Sequence, residues 1–262
     1  MTANVPERRS LRQTFAGRAA LVTGAASGIG RATAGALLAA GIRTICLDLR
    51  EPEPVPEVPE NLQVRVSVDV TDGEALRVAI ADSTGPDGLS YVVNCAGVLD
   101  DTGFTHVSRQ AWLRCLEVNL IGAYNVIDAA GDLLRKSVAG AVVNVTSIEG
   151  SRVVALSNTD PTPQYAASKA GLQMMTQTAA RALAADGVRV NSVSPGFVAT
   201  PMALAASHEK MDVLPPALAP RVPLGRFARS EEIADAVAFL LSDQSSFITG
   251  ADLRVDGGFA LT

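Results

Sequence analysis

The sequence has little cysteine: Cys46, Cys95 and Cys115 are its three, and none belongs to a C-x-x-C pair. That excludes a disulfide scaffold. Cys46 and Cys95 lie in apolar, strand-like runs, so a reduced, intracellular chain with buried thiols is expected. Histidine is scarcer still. His106 and His208 are the only two, neither has metal-ligand spacing to Cys, Asp or Glu, and both read as loop residues, so no metal site is expected. No run of about 18 apolar residues occurs, which leaves no helical membrane span. Basic charge is not in excess either: a formal net charge of −5 offers no nucleic-acid footprint. The segment before Phe15 carries Arg8, Arg9 and Arg12 without the apolar stretch of a secretory signal. It is expected to be a mobile tail over residues 1–14 of a cytoplasmic protein.

What is present is apolar material in quantity. Hydrophobic residues make up 48% and charged residues 19% of the 262, enough for a sizeable core. A chain of this length fits one α/β domain, expected over residues 15–262. The stretch that organises it is Thr23-Gly24-Ala25-Ala26-Ser27-Gly28-Ile29-Gly30. An apolar run, Ala19–Val22, precedes it and has the length of a buried parallel strand. After it come strong helix formers from Arg31 to Ala40, closed by Gly41 at the position of a C-terminal cap. The glycines therefore fill a strand-to-helix turn. Such a turn aims backbone N–H groups and a positive helix end at one point, which suits a pyrophosphate. A second apolar run, Thr44–Leu47, ends in Asp48, placed about 20 residues on to hydrogen-bond an adenosine ribose.

Farther along, strands are expected at Leu62–Val68, Ser90–Val93, Gly140–Ser147, Val188–Val193 and Leu253–Val255, about seven in all. Helices are expected from Asp72 to about Ile80, in one long run from Ser108 to about Val138, from Tyr165 to about Ala185, and from a Ser230 cap to Ser242. Alternating prolines between Glu51 and Glu60 forbid a helix there and favour an extended strip. The proline-rich stretch 201–224 reads as a mobile lid with short helical pieces.

The T-G-x-x-x-G-x-G turn and the acidic strand end are followed by Asn94-Cys95-Ala96-Gly97, by a hydroxyl-ended strand at Ser147, by Tyr165-x-x-x-Lys169 and by Pro195-Gly196-x-x-x-Thr200. Together they resemble the short-chain dehydrogenase/reductase family from about Phe15 onward. The resemblance implies a single-domain Rossmann-type, doubly wound parallel sheet flanked by helices that binds NAD or NADP. It implies cofactor contacts at Gly24, Ser27, Gly28, Ile29, Gly30, Asp48, Leu49, Asp69, Val70, Asn94, Ala96, Gly97, Tyr165, Lys169, Pro195, Gly196, Val198 and Thr200. It implies catalytic parts for Asn119, Ser147, Tyr165 and Lys169, with Asn119 kinking its helix and helping to relay a proton. A homotetramer, or a homodimer, is implied as well; the small residues Ala179, Ala180, Ala182, Ala184 and Ala185 would allow close helix packing, though core burial explains them equally well. The chain departs from the family in three places: Cys95 replaces an Asn, the proline strip replaces a helix, and residues 156–163 lengthen the connection between Ser147 and Tyr165. That insertion is either a specificity loop, through Asn158 or Asp160, or a tolerated surface insertion.

Residue chemistry supports the pair independently. Tyr165 and Lys169 share a helical face at a spacing of four. Ionising a phenol at pH 7 costs roughly 4 kcal/mol, and a cation about 4 Å away at an effective dielectric near 20 offsets about that much. With the help of an oxidised nicotinamide, Tyr165 is therefore expected to be a usable acid/base, with Ser147 holding the substrate oxygen; the resemblance implies a secondary alcohol as substrate, cyclic alcohols and diols included. Asp48 repels a 2′-phosphate and position 27 is Ser rather than a basic residue, so NAD is expected over NADP, with Arg50 the one residue able to rescue a phosphate. Two alternatives stay open: a 3-oxoacyl-carrier-protein reductase using NADPH, and a non-catalytic dinucleotide sensor.

Overall fold

Apolar runs and helix formers alternate along the chain, and in the computed structural model they become alternating strands and helices. The structure describes residues 13–99, 103–154, 161–203 and 214–262. In order these hold β1 (Ala19–Thr23), α1 (Gly28–Ala39), β2 (Arg43–Asp48), β3 (Gln63–Ser67), α2 (Gly73–Ser83), β4 (Tyr91–Asn94), α3 (Arg109–Leu116), α4 (Ala123–Lys136), β5 (Ala141–Val145), α5 (Pro163–Leu183), β6 (Arg189–Pro195), α6 (Ser230–Leu241) and β7 (Asp252–Val255). The seven strands form one sheet in the order β3-β2-β1-β4-β5-β6-β7. Every pairing in it is parallel. The chain winds outward from β1 to β3, then returns to β1's other edge for β4. This is the Rossmann-type doubly wound sheet, and its crevice lies at the reversal, beyond the carboxyl ends of β1 and β4.

Successive side chains on a strand point to opposite faces. Ala20 and Val22 of β1 accordingly join a core with Leu37 and Leu38 of α1 and Ile233 and Val237 of α6. Leu21 joins a second core with Leu76 of α2, Leu134 of α4 and Leu183 of α5. Burial of both faces explains the continuous apolar runs of β1 and β5, whose residues are all buried. Gly41 ends α1 with a φ of +79°. Its N–H donates to the Leu38 carbonyl and the Ile42 N–H to that of Leu37, the paired bonds of a left-handed C-terminal cap.

Four boundaries differ from the sequence reading. The glycine turn is shorter than expected because α1 already begins at Gly28. The single helix expected over Ser108–Val138 is two, α3 and α4, joined by a wide π turn over Glu117–Gly122 that contains Asn119. Ser230 does not cap α6. Arg229 takes the cap position, and its backbone N–H donates to the Glu232 carboxylate at 2.8 Å. Thr14 is held rather than loose: its N–H donates to the Gln244 amide and its carbonyl accepts from Asp243 N–H. The proline strip is free of helix until a short turn at Glu60–Leu62, and Val55 and Val58 pack on the first core. Residues 1–12, the insertion positions Asn158 and Asp160, His208 and the lid positions 204–213 lie outside the described residues.

Candidate active site

β1 ends at Thr23, whose hydroxyl accepts the backbone N–H groups of both Cys95 and Ala96, each at 3.1 Å, just past the end of β4. This bond pair brings the glycine turn and the Asn94–Gly97 segment together. Gly24 has a φ of +67°, and a Cβ on it would stand 2.8 Å from Ala96 N, so no side chain fits. Ser27 sits at the N-cap of α1 in an extended conformation and makes no side-chain cap bond. The first-turn N–H groups of Gly28, Ile29 and Gly30 thus have no partner within the helix. Asp48, at the end of β2, accepts from Ala26 N–H at 3.0 Å and Arg50 N–H at 3.3 Å, which fixes a carboxylate beside the turn, with Leu49 exposed next to it. Thr200 faces the turn from β6: a Cβ on Gly28 would meet its Cγ2 at 3.4 Å. Thr200 also accepts from Ala203 N–H, and Val198 is buried. Pro195 ends β6, and Gly196 donates to the Val255 carbonyl. Asp69 closes a turn by accepting from Thr71, and Asn125 holds the Val70 carbonyl. A helix N-terminus, glycines against the chain and an acceptor at the second strand fit a pyrophosphate-linked dinucleotide.

A Cβ on Gly97 would come 3.3 Å from Asn119 Oδ1 and 3.6 Å from Lys169 Nζ, so the segment that borders the glycine turn also borders the remaining polar groups. Asn119 is buried with its amide fully used. Its Oδ1 accepts from Val98 N–H at 2.8 Å, and its Nδ2 donates to the Val98 carbonyl and to Ser168 Oγ, both at 3.0 Å. Such a committed amide offsets the poor helix propensity of Asn, and the wide turn lets it face Val98. Ser168 in turn donates to the Tyr165 carbonyl. Asn94 links the sheet instead, donating to Asn144 Oδ1, which belongs to a chain ending at Thr176.

Tyr165 and Lys169 lie on the first turns of α5, and the Lys169 Nζ stands 5.6 Å from the phenol ring centroid. Lys169 Nζ donates to the Val145 carbonyl at 2.9 Å. Ser147 hydrogen-bonds Tyr165. Ser147 is itself oriented by the Glu149 N–H, which donates to its Oγ at 3.1 Å, and by Gln173, which donates to its carbonyl at 3.2 Å. Gln173 also reaches Ser194, whose hydroxyl joins those of Thr146 and Ser192 on the Asp252 carboxylate. The structure therefore brings together all four residues named as catalytic. It adds several that the sequence reading missed: Thr23, Glu149, Thr162, Ser168 and Gln173. Ser168 and Gln173 carry a signal, because they fall on the helical face of Tyr165 and Lys169. Glu149 carries none beyond being a charge just past a buried strand.

Burial is the main electrostatic influence. It holds the Tyr165 phenol well above its ordinary value; the Glu149 charge raises it further, and the Ser147 hydrogen bond pulls it back. Burial also pushes Lys169 down to about 8. In the protein alone burial is the larger influence on both groups; the help expected from Lys169 together with an oxidised nicotinamide belongs to the cofactor-bound state. The Glu149 carboxyl is itself raised by burial, against the Thr162 hydrogen bond and Lys169. The Cys95 thiol is pushed up to about 12 by burial, which leaves it inert. No three His, Cys, Asp or Glu side chains converge as metal ligands among the described residues.

Residues 24–260 match the family model described as enoyl-(acyl carrier protein) reductase. The chain is 38% identical over 257 residues to a (3R)-3-hydroxyacyl-CoA dehydrogenase of Mus musculus, covering 91% of this chain and 95% of the relative. It is 37% identical over 260 residues to a cis-4-hydroxycyclohexanecarboxylate dehydrogenase of Sinomonas cyclohexanicum, covering 94% and 98%. Its fold superposes on the crystal structure of a short-chain type dehydrogenase/reductase from Mycobacterium marinum with a TM-score of 0.84 at 27% identity, covering 95% and 98%.

The Asn119 bonds give a stability expectation. Asn119→Ala removes three buried hydrogen bonds and strands the Val98 groups, so a loss of about 2–3 kcal/mol is expected. Chemical denaturation should show it, together with faster hydrogen exchange at the Val98 amide; unchanged exchange there would separate Asn119 from the Gly97–Val98 segment.

Proposed function

The chain belongs to the short-chain dehydrogenase/reductase family, oxidoreductases that use nicotinamide dinucleotides on CH–OH groups, and we propose that it interconverts a secondary alcohol and a ketone with NAD. The observation that carries the proposal is Lys169 Nζ 5.6 Å from the Tyr165 ring, with Ser147 at the carboxyl end of β5 acting on the phenol, the whole joined to the glycine turn through the Cys95–Gly97 segment. The dinucleotide would be held by the Gly24–Gly30 turn, Asp48 and Leu49, Asp69 and Val70, Asn94, Ala96 and Gly97, Tyr165 and Lys169, and Pro195, Gly196, Val198 and Thr200. When bound it supplies a hydride acceptor or donor.

This chain's residues do the rest. In oxidation, Tyr165 takes the hydroxyl proton of the alcohol. Ser147, held from behind by Gln173, hydrogen-bonds the same oxygen and keeps it beside the phenol. Lys169 sits under the phenol and, at neutral pH, carries most of its charge. Asn119 acts by position in this scheme, since its amide is committed to Val98 and Ser168; the relay of protons to solvent that the resemblance implies would use backbone rather than amide. In reduction Tyr165 gives its proton to the ketone oxygen. A raised phenol is a reluctant base and a ready acid, so the chain alone favours reduction near neutral pH and oxidation at alkaline pH.

Asp48 supports NAD, because a carboxylate fixed beside the glycine turn would repel a 2′-phosphate and accept from a free 2′-hydroxyl. The alternative of an NADPH-linked acyl-carrier-protein ketoreductase draws on relatives named 3-oxoacyl-[acyl-carrier-protein] reductase, but Asp48 weighs against its cofactor. The apolar exposed residues Leu113, Ile121 and Tyr124 on α3, the wide turn and α4, with Met174 on α5, support an oligomer, in our reading a homotetramer. No described helix is long and apolar enough to cross a membrane, which is compatible with the cytoplasmic reading.

The first test is turnover of secondary alcohols with NAD. Tyr165→Phe is expected to lower kcat by about 10²–10⁴-fold while dinucleotide binding persists; near wild-type turnover would refute the assignment. The same assay should give a higher kcat/KM with NAD than with NADP, and Asp48→Ser should narrow the gap; an NADP preference would overturn the Asp48 argument. Because negative charge at Glu149 opposes phenol ionisation, Glu149→Gln should move the ascending limb of log kcat/KM for cyclohexanol oxidation to lower pH. A limb that stays put or rises would remove Glu149 from the electrostatics of Tyr165.

A further inference from the structure

Glu149 is a half-buried carboxylate that the proton transfer does not use. It lies two residues past Ser147, in the short turn Ile148–Gly150, and its charge is the strongest one acting on Tyr165. Its Oε2 accepts from Thr162 Oγ1 at 3.1 Å. Thr162 occupies the N-cap position of α5, where a threonine ordinarily accepts from the first-turn backbone, yet it makes no cap bond. Its hydroxyl is turned to Glu149 instead. Among the described residues, Oε1 of Glu149 has no hydrogen-bond partner.

The residue before this carboxylate borders an apolar cluster. Ile148 is buried in a small cluster with Leu214, Leu218, Val222 and Phe259, and Val154, Phe197 and Phe227 pack on it. Ligand sites are mostly apolar with a few polar groups that fix orientation. A fixed acceptor next to Ser147, partly withdrawn from water, recognises a hydrogen-bond donor on the substrate and disfavours a negative charge. It is held by Thr162 on one oxygen, so the other is presented in a defined direction.

We infer that Glu149 is a specificity-determining residue, selecting secondary alcohols that carry a second hydrogen-bond donor, a hydroxyl or an ammonium, on the carbon next to the reacting one. The inference rests on the reading of Tyr165 and Ser147 as the pair that handles the reacting oxygen. In the reverse direction the selected substrates are the matching α-hydroxy or α-amino ketones. Carboxylates at that carbon are rejected, because two negative charges would share one poorly solvated site.

The test compares kcat/KM with NAD for four probes: cyclohexanol, trans-1,2-cyclohexanediol, trans-2-aminocyclohexanol and 2-hydroxycyclohexanecarboxylate. Wild type is expected to prefer the diol or the amino alcohol over cyclohexanol by about tenfold or more, since a site built for a donor penalises its absence. The difference should appear mainly in KM, and the hydroxy acid should be the poorest. In Glu149→Leu the donor-to-cyclohexanol ratio should fall toward one; using a ratio cancels any general effect on chemistry. Glu149→Gln keeps an acceptor oxygen without the charge, so a hydroxyl preference should survive in part and an ammonium preference should vanish. Thr162→Val should weaken the ratio in the same sense by releasing the carboxylate, and it provides a second arm if Glu149→Leu does not fold. Cyclohexanol turnover with equal ratios in wild type and variants would overturn this inference alone. Turnover of none of the probes, nor of other secondary alcohols, with either dinucleotide would overturn the proposed function, and this inference with it.

Discussion

One hydroxyl joins the two halves of this fold. Thr23 closes β1 and receives two backbone N–H groups from the segment after β4, at the place where the strand order reverses. A doubly wound sheet opens a crevice there by topology alone. The crevice has a useful shape only if its two lips keep register, and these bonds keep it. They also bring the backbone of Cys95 and Ala96 so near Gly24 that a Cβ has no room. From there a continuous path of contacts runs through Val98 to Asn119, through Ser168 to the Tyr165 carbonyl, and so to the helix that carries the phenol and the lysine. The glycine turn and the reacting pair are thus parts of one hydrogen-bonded frame.

That frame buries charge, and burial has a cost that the site distributes. A phenol and an ammonium moved out of water each lose hydration, which is why one rises and the other falls. The compensation is polar contact at fixed distance: the Val145 carbonyl for Lys169, Ser147 for Tyr165, and Gln173 and the Glu149 N–H for Ser147. Fixed dipoles need no reorganisation when charge develops, so what destabilises an ionised resting state assists a proton in transit. The same logic explains the Asp252 carboxylate behind the site. Three hydroxyls, from β5's end and β6, converge on it and anchor Ser194, which holds Gln173.

Much of this was legible from residues in order. The glycine turn, Asp48, the hydroxyl-ended strand and the Tyr165–Lys169 spacing are local patterns, and strand alternation with helix periodicity gives the layers. What was not legible is whatever depends on distant neighbours. A helical pattern from Ser108 to Val138 contains no local instruction to widen at Glu117; the widening follows from Asn119 reaching Val98 and Gly122 meeting Val70, both far off in sequence. Glu149 was missed because its partner, Thr162, lies across an insertion whose length hides the pairing. The burial of Tyr165 and Lys169 was not legible for a related reason: spacing gives proximity, whereas desolvation depends on everything packed around the pair.

The frame also says where differences between relatives must reside. Relatives 37–38% identical to this chain are named for substrates as unlike as a hydroxyacyl-CoA and a hydroxycyclohexanecarboxylate. The pair that we propose as catalytic is held by backbone bonds and buried amides and so has little room to vary; on that proposal discrimination falls to side chains that border it without taking part. Few positions meet both conditions. The residue must lie within reach of the reacting oxygen, and its replacement must leave the Thr23–Asn119–Ser168 path intact. Position 149 meets them, because its backbone N–H does the work of orienting Ser147 whatever side chain it bears. A carboxylate partly withdrawn from water is a costly choice there, and nothing in the hydrogen bonding of Ser147, Tyr165 or Lys169 requires its side chain. A group that the frame can do without, held in a costly ionisable form beside the substrate's path, is best accounted for by what it binds.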